Sequence, residues 1–173
     1  MSYETLTLPA ALGAGLAVVL RLALPPTSLG ELVERLASVP WREADLISET
    51  ATGHAIISDG EERFTHCALD ALLLPSVTGR PLQLRSSCPH CGEVVEVVAT
   101  GRAIESLRPD AVLSLGVAAG GTGSAYECVC PYINLFPNQR HYDEWVEATP
   151  GATSIALGIA QVGAMLRDLR RMR

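Results

Sequence analysis

The 173 residues predict an α+β fold, with helices first, a small and mainly antiparallel sheet in the middle, and a helix last. Three observations carry this. The first fifty residues hold long apolar stretches separated by helix stop and start signals. After residue 51 the texture changes to short Val- and Ile-rich runs divided by Gly, Pro and polar turns. The last apolar segment runs at helical length into a cluster of arginines.

Residues 9–23 are apolar nearly all round, as in a buried helix, and Pro25-Pro26 stops it. Ser28 is placed to cap a helix through Ala37, with Glu31 three residues on in a capping-box arrangement. Val39-Pro40-Trp41 makes a turn, with Trp41 a packing residue, and Arg42–Thr50 reads as another helix. His54–His66 reads as a hairpin turning at Asp59-Gly60. Helix, turn, helix and hairpin together have the outline of a winged helix. His66–Leu74 is a short helix ended by Pro75. Leu82–Leu84, Val94–Val98 and Val112–Val117 read as strands, and Gly116–Gly123 as a flexible loop lacking the Lys-Ser/Thr of a phosphate loop. Tyr126–Phe136 reads as a strand region bent at Pro131. Asp143 and Glu144 suit the start of the last-but-one helix, with Trp145 a packing residue, and Ile155–Leu169 is the final helix. The chain thus divides into a helical, degenerate winged-helix-like part at 1–52 and a core at 53–173.

Composition narrows the function classes. Net charge is −6, and all 13 basic residues are Arg. From Ser28 to Thr50 the acids Glu31, Glu34, Glu43, Asp45 and Glu49 outnumber Arg35 and Arg42, where a DNA reader needs positive charge. Nucleic acid is therefore not an expected partner, and 5% aromatic content gives little base-stacking surface. The longest apolar stretch, Leu8–Leu20, is 13 residues, too short for a bilayer, and an acid without a base precedes it, unlike a secretory signal. The expected compartment is the cytoplasm, where five cysteines stay reduced for metal or chemistry.

Cys67 opens the segment Cys67-Ala68-Leu69-Asp70, and the i, i+3 spacing puts thiol and carboxylate on one helix face. A helix N-terminus is expected to lower the Cys67 thiol pKa, and apolar Leu69, Leu72, Leu73 and Leu74 to raise that of Asp70, which can then carry a proton. The plain alternative is a buried small hydrophobe followed by an exposed acid. Cys88-Pro89-His90-Cys91 followed by Gly92 is a C-x2-C knuckle, and Cys128-Val129-Cys130 is a second pair. Two such pairs can close a tetrahedral structural zinc site, with Cys88, Cys91, Cys128 and Cys130 as ligands. His90 is either a further ligand or a solvated turn residue.

The run Arg63-Phe64-Thr65-His66-Cys67-Ala68-Leu69-Asp70-Ala71-Leu72-Leu73-Leu74-Pro75 resembles the organomercurial (alkylmercury) lyase family. Gly79-Arg80, Ser87-Cys88 and the stretch from Cys130 to Glu144-Trp145 extend the resemblance. His66 stands where the family often has Trp, and Pro131 where it often has a further Cys. The resemblance implies that Cys67 and Cys130 are the mercury-binding thiols, that Asp70 carries the proton, and that Cys88 is structural. It also implies protonolysis of a carbon–mercury bond with no required metal cofactor, the metal being part of the substrate. The product Hg(II) would pass from Cys67 and Cys130 to cellular thiols or a mercuric reductase. The competing expectation is a non-catalytic thiol-rich protein on the same fold, binding zinc or another soft metal through Cys88, Cys91, Cys128 and Cys130.

Overall fold

The computed structural model describes residues 2–172. Helix α1 (Ala10–Val19) is followed by α2 (Leu29–Ala37), whose first turn is fixed by the Glu31 N–H donating to Ser28 Oγ at 3.2 Å. The Glu31 carboxylate reaches back one residue further than a capping box requires and accepts from the Thr27 N–H at 2.7 Å. Both helices turn leucines inward: Leu12 and Leu16 from α1, Leu29 and Leu32 from α2.

The expected helix at Arg42–Thr50 is shorter. Helix α3 is Glu43–Leu46, and the chain then becomes strand β1 (Ile47–Ser48), which pairs antiparallel with Phe64 and Thr65. The free edge of the next hairpin supplies hydrogen bonds that β-branched Ile47 suits better than another helical turn. The Glu43 carboxylate bridges Arg63 at 2.8 Å and Arg80 at 2.9 Å, tying α3 to that sheet.

The hairpin forms as predicted, β2 (His54–Ser58) and β3 (Glu61–Thr65) turning through Asp59 and Gly60 with both φ values positive, 54° and 82°. It is no free wing, because β2 also pairs with β4 (Leu82–Ser87). β5 (Val94–Ala99) and β6 (Ile104–Ser106) complete an antiparallel six-stranded sheet of order β1-β3-β2-β4-β5-β6.

Helix α4 (Ala68–Thr78) does not end at Pro75 but runs one turn further. Proline removes a single donor here. The Thr78 hydroxyl donates to the Leu74 carbonyl at 2.9 Å, and burial of Leu72, Leu73 and Leu74 holds the helix in place.

A second sheet has order β8-β7-β9, with β7 (Val112–Ala118) in the middle and β8 (Leu135–Phe136) and β9 (Ala152–Gly158) beside it. Three expectations are corrected here. Tyr126–Phe136 is not mainly strand: it holds helix α5 (Ala125–Cys128), a 3-10 turn (Cys130–Tyr132), and only then β8. The flexible loop read at Gly116–Gly123 starts later, since Gly116, Val117 and Ala118 pair with β9. The final helix α7 is Ile159–Arg171, and Ile155–Leu157 belong to β9, where seven paired positions along β7 outweigh helical periodicity. Helix α6 (Gln139–Ala148) begins ahead of Asp143, capped by Asn138, whose Oδ1 accepts from the His141 N–H at 3.2 Å.

One apolar cluster joins α1, α2, α4 and α7 to both sheets, and it includes Cys67 and Cys130. A smaller cluster gathers Cys88, Val112, Phe136, Tyr142 and Trp145. Among the described residues no helix is long and apolar enough to cross a membrane.

Candidate active site

Cys67 is the N-cap residue of α4, at the point where extended β3 turns into helix. Its position is fixed on both sides. The buried Thr65 hydroxyl donates to the Cys67 carbonyl at 3.0 Å, and the Ala68 N–H donates to the Ile133 carbonyl at 3.2 Å. That second bond joins the start of α4 to the loop after Cys130. Asp70 lies in the first turn of α4, three residues on, so thiol and carboxylate share a face as the spacing predicts.

Cys130 opens the 3-10 turn, and strand β7 holds that turn in place. The Ser114 hydroxyl donates to the Tyr132 carbonyl at 2.9 Å and accepts from the Asn134 N–H at 2.9 Å. The Asn134 side chain closes the turn by donating to the Pro131 carbonyl at 2.9 Å. A Cβ on Gly116 would lie 3.0 Å from the Tyr132 carbonyl oxygen and 2.9 Å from the Tyr132 Cβ, so glycine is what lets the turn rest on β7. Ser114 and Asn134 are both buried, and each is spent on positioning Cys130.

The result is a three-residue cluster. Cys67 Sγ, an Asp70 carboxylate oxygen and Cys130 Sγ all lie within 4.8 Å of one another, and Cys130 Sγ is 4.0 Å from Asp70 Oδ2. Their exposures are 1%, 9% and 8%, so the set is almost wholly withdrawn from solvent. Two thiols and a carboxyl at that separation can grip one soft metal ion and hold a proton beside it.

Burial governs the protonation states. It pushes the Asp70 carboxyl up from 3.8 to about 7, with the Cys67 thiol and backbone N–H only partly offsetting it. At neutral pH this carboxyl is poised between acid and base, as the sequence led one to expect. Cys67 goes the other way from expectation. Burial first, then the adjacent Cys130 and the Asp70 charge, push its thiol well above the ordinary value; the N-terminal amide of Asp70 pulls down too weakly to prevent it. Desolvation outweighs the helix end because the group has no water to fall back on.

The cluster opens on an apolar cavity of about 150 Å³. Leu16, Leu32, Leu113 and Met165 are among its walls, so α1, α2, β7 and α7 all contribute to it. Trp41, read from sequence as packing, also lines it. So does Tyr126, which the sequence did not single out; its ring lies 4.4 Å from that of His66 and its hydroxyl donates to the Asp45 carbonyl at 3.3 Å.

The four-thiol zinc site expected from spacing is not assembled. Cys130 belongs with Cys67 and Asp70, while Cys88 and Cys91 group with His141 of α6; Cys128 is in neither cluster. The chain turns through α5 and the 3-10 helix between Cys128 and Cys130, which separates residues that a straight strand would have kept on one face. His141 was missed because it lies fifty residues from Cys91 and no local pattern links them.

The alkylmercury lyase family model (MerB) matches residues 47–170, which takes in Cys67, Asp70 and Cys130. An alkylmercury lyase of Streptomyces lividans is 27% identical over 123 residues, covering 70% of this chain and 57% of that protein. One of Bacillus cereus is 24% identical over 106 residues, 61% of this chain and 49% of the other. The chain therefore spans about half the length of the curated relatives it matches. The crystal structure of the mercury-bound form of MerB2 shares the fold, with a TM-score of 0.59 at 19% identity over 82% of this chain and 72% of that one. With the matched segment running from β1 to the last turns of α7, the chain belongs to the alkylmercury lyase family.

Proposed function

We propose that the chain cleaves carbon–mercury bonds by protonolysis, using Cys67, Cys130 and Asp70. The observation that carries this reading is the buried thiol–carboxyl–thiol cluster at the end of an apolar cavity, with the carboxyl poised near neutrality. Hg(II) prefers thiolate ligands, so an organomercurial delivered as a complex with a small thiol exchanges that thiol for one enzyme cysteine. The proton of that cysteine leaves on the small thiol. Approach of the second sulfur adds electron density to the metal and weakens its bond to carbon. The second cysteine's proton passes through Asp70 to the carbon, which departs as hydrocarbon, and Hg(II) remains between the two sulfurs. The sum is balanced: two thiol protons leave, one on the small thiol and one on the hydrocarbon.

The cavity suits the organic half of the substrate. A void of about 150 Å³ with mainly apolar walls is the size that accepts a benzene-sized group. The five free cysteines support a reducing, cytoplasmic setting, in which cellular thiols or a mercuric reductase take the bound Hg(II). No resident metal takes part in this reaction.

The test is benzene release from phenylmercury by the purified protein with excess small thiol. Wild type should release benzene; Cys67→Ser and Cys130→Ser should release none, and Asp70→Ala should retain mercury binding with turnover lost. No benzene from well-folded wild type would refute the proposal.

A further inference from the structure

We propose that Cys88, Cys91 and His141 form a second metal site, for a divalent zinc-class cation, separate from the Cys67–Asp70–Cys130 cluster and linking the β4–β5 knuckle to helix α6. Cys88 Sγ, Cys91 Sγ and a ring nitrogen of His141 all lie within 4.8 Å of one another. Cys91 Sγ is 3.4 Å from His141 Nδ1. In a tetrahedral zinc site with bonds of about 2.3 Å to sulfur and 2.0–2.1 Å to nitrogen, that edge is about 3.5 Å. The pair is already at ligand spacing.

The knuckle has the form such a site needs. The Gly92 N–H donates to the Cys88 carbonyl at 2.8 Å and the Cys88 N–H donates to the Glu93 carbonyl at 2.8 Å, folding the four residues Cys88–Cys91 back so that both sulfurs converge. His141 is aimed by its helix: its own N–H is held by the Asn138 cap at 3.2 Å, in the first turn of α6. One turn on, Glu144 accepts from His90 Nε2 at 3.0 Å, so the knuckle and α6 already meet through a second pair. Cys88 packs with Phe136, Tyr142 and Trp145, which gives the site a dry inner wall. Cys91 is exposed, so water can reach the site to complete the coordination that three protein ligands leave open.

The donor set selects the metal. Two thiolates and an imidazole suit zinc; magnesium and calcium want oxygen ligands. Binding displaces the two thiol protons to solvent and nothing is oxidised. The role is that of a clip between a sheet turn and a helix. The inference rests on residues outside the proposed reaction, so it stands or falls independently of carbon–mercury cleavage.

The experiment is titration of reduced, metal-free full-length protein with Co²⁺, read by the thiolate-to-cobalt charge-transfer band in the near ultraviolet and the tetrahedral d–d bands, followed by displacement with Zn²⁺. Cys67→Ser/Cys130→Ser protein should bind one equivalent with an unchanged spectrum. Cys91→Ser, at an exposed position that leaves the fold intact, should weaken binding by at least about 100-fold. His141→Ala should keep the sulfur band and alter the d–d bands. Zn²⁺ should raise the Tm of wild type and leave that of Cys91→Ser unmoved. Absence of a one-equivalent cobalt spectrum, or one that survives Cys91→Ser and disappears in Cys67→Ser/Cys130→Ser, would overturn the proposal.

Discussion

Replacing Asp70 with Asn should stabilise the protein, and by an amount that depends on pH in a calculable way. In the fold this carboxyl titrates at about 7 against an ordinary value of 3.8. The folded state therefore holds the proton more tightly than the unfolded chain does. Where both states are protonated, below the unfolded pKa, the group is neutral toward folding. As pH rises from near 3.8 the unfolded chain releases its proton first and folding is progressively disfavoured; above about 7 both states are ionised and the penalty is constant. A shift of about 3 units at about 1.4 kcal/mol each makes that penalty about 4 kcal/mol. Asparagine keeps the shape and stays neutral. The advantage of Asp70→Asn over wild type should thus grow by about 2.5 kcal/mol between about pH 5 and about pH 8. Urea unfolding of both proteins with reductant present, at several pH values, measures the difference directly. An advantage that does not change with pH would mean the carboxyl ionises as an ordinary surface acid, and the reasoning about a poised proton carrier would fail.

His54 should show the opposite slope: it is buried on Ser86 Oγ at 2.9 Å and its pKa is lowered from 6.5 to about 4 by burial. As pH falls through that window the unfolded chain takes a proton the fold refuses, so about 3 kcal/mol is lost, and His54→Asn should remove that loss in the same urea series. The two slopes nearly cancel in wild type between about pH 4 and about pH 7, so the single variants should be steep where the parent is flat. Ser114→Ala leaves the Asn134 N–H without its acceptor and should cost about 1–3 kcal/mol by chemical denaturation, with a larger fall in benzene release than in mercury binding. Gly116→Ala forces the Tyr132 turn off β7 and should cost about 1–3 kcal/mol, with slower methylmercury or phenylmercury turnover because Cys130 moves with the turn.

What was legible in the sequence was local. The Ser28 cap, the Asp59-Gly60 hairpin and the shared face of Cys67 and Asp70 each depend on residues a few positions apart, and each is found where the spacing put it. The pairing of Cys67 with Cys130 came from family resemblance, since nothing in the 62 residues of intervening chain encodes it. The misreadings share one cause. Cys130 sits on a 3-10 turn because Ser114 and Asn134 satisfy its carbonyls from elsewhere, and β9 is a strand because β7 offers it a ladder. Pro75 is tolerated inside α4 because leucines on that helix are buried against the rest of the core. In every case tertiary contacts overrode a propensity that short segments could only suggest.

The depth of Cys67 decides which reagents it ever meets. Alkylating agents and peroxides attack thiolates that reach water, and a sulfur that is 1% exposed and held protonated offers them neither access nor charge. Exposed Cys91 takes such damage first. A soft metal needs no preformed thiolate, because its own affinity for sulfur displaces the proton on contact. On the proposed reading, depth thus shields the Cys67 sulfur from everyday electrophiles while leaving it open to a compound whose soft metal can discharge that proton.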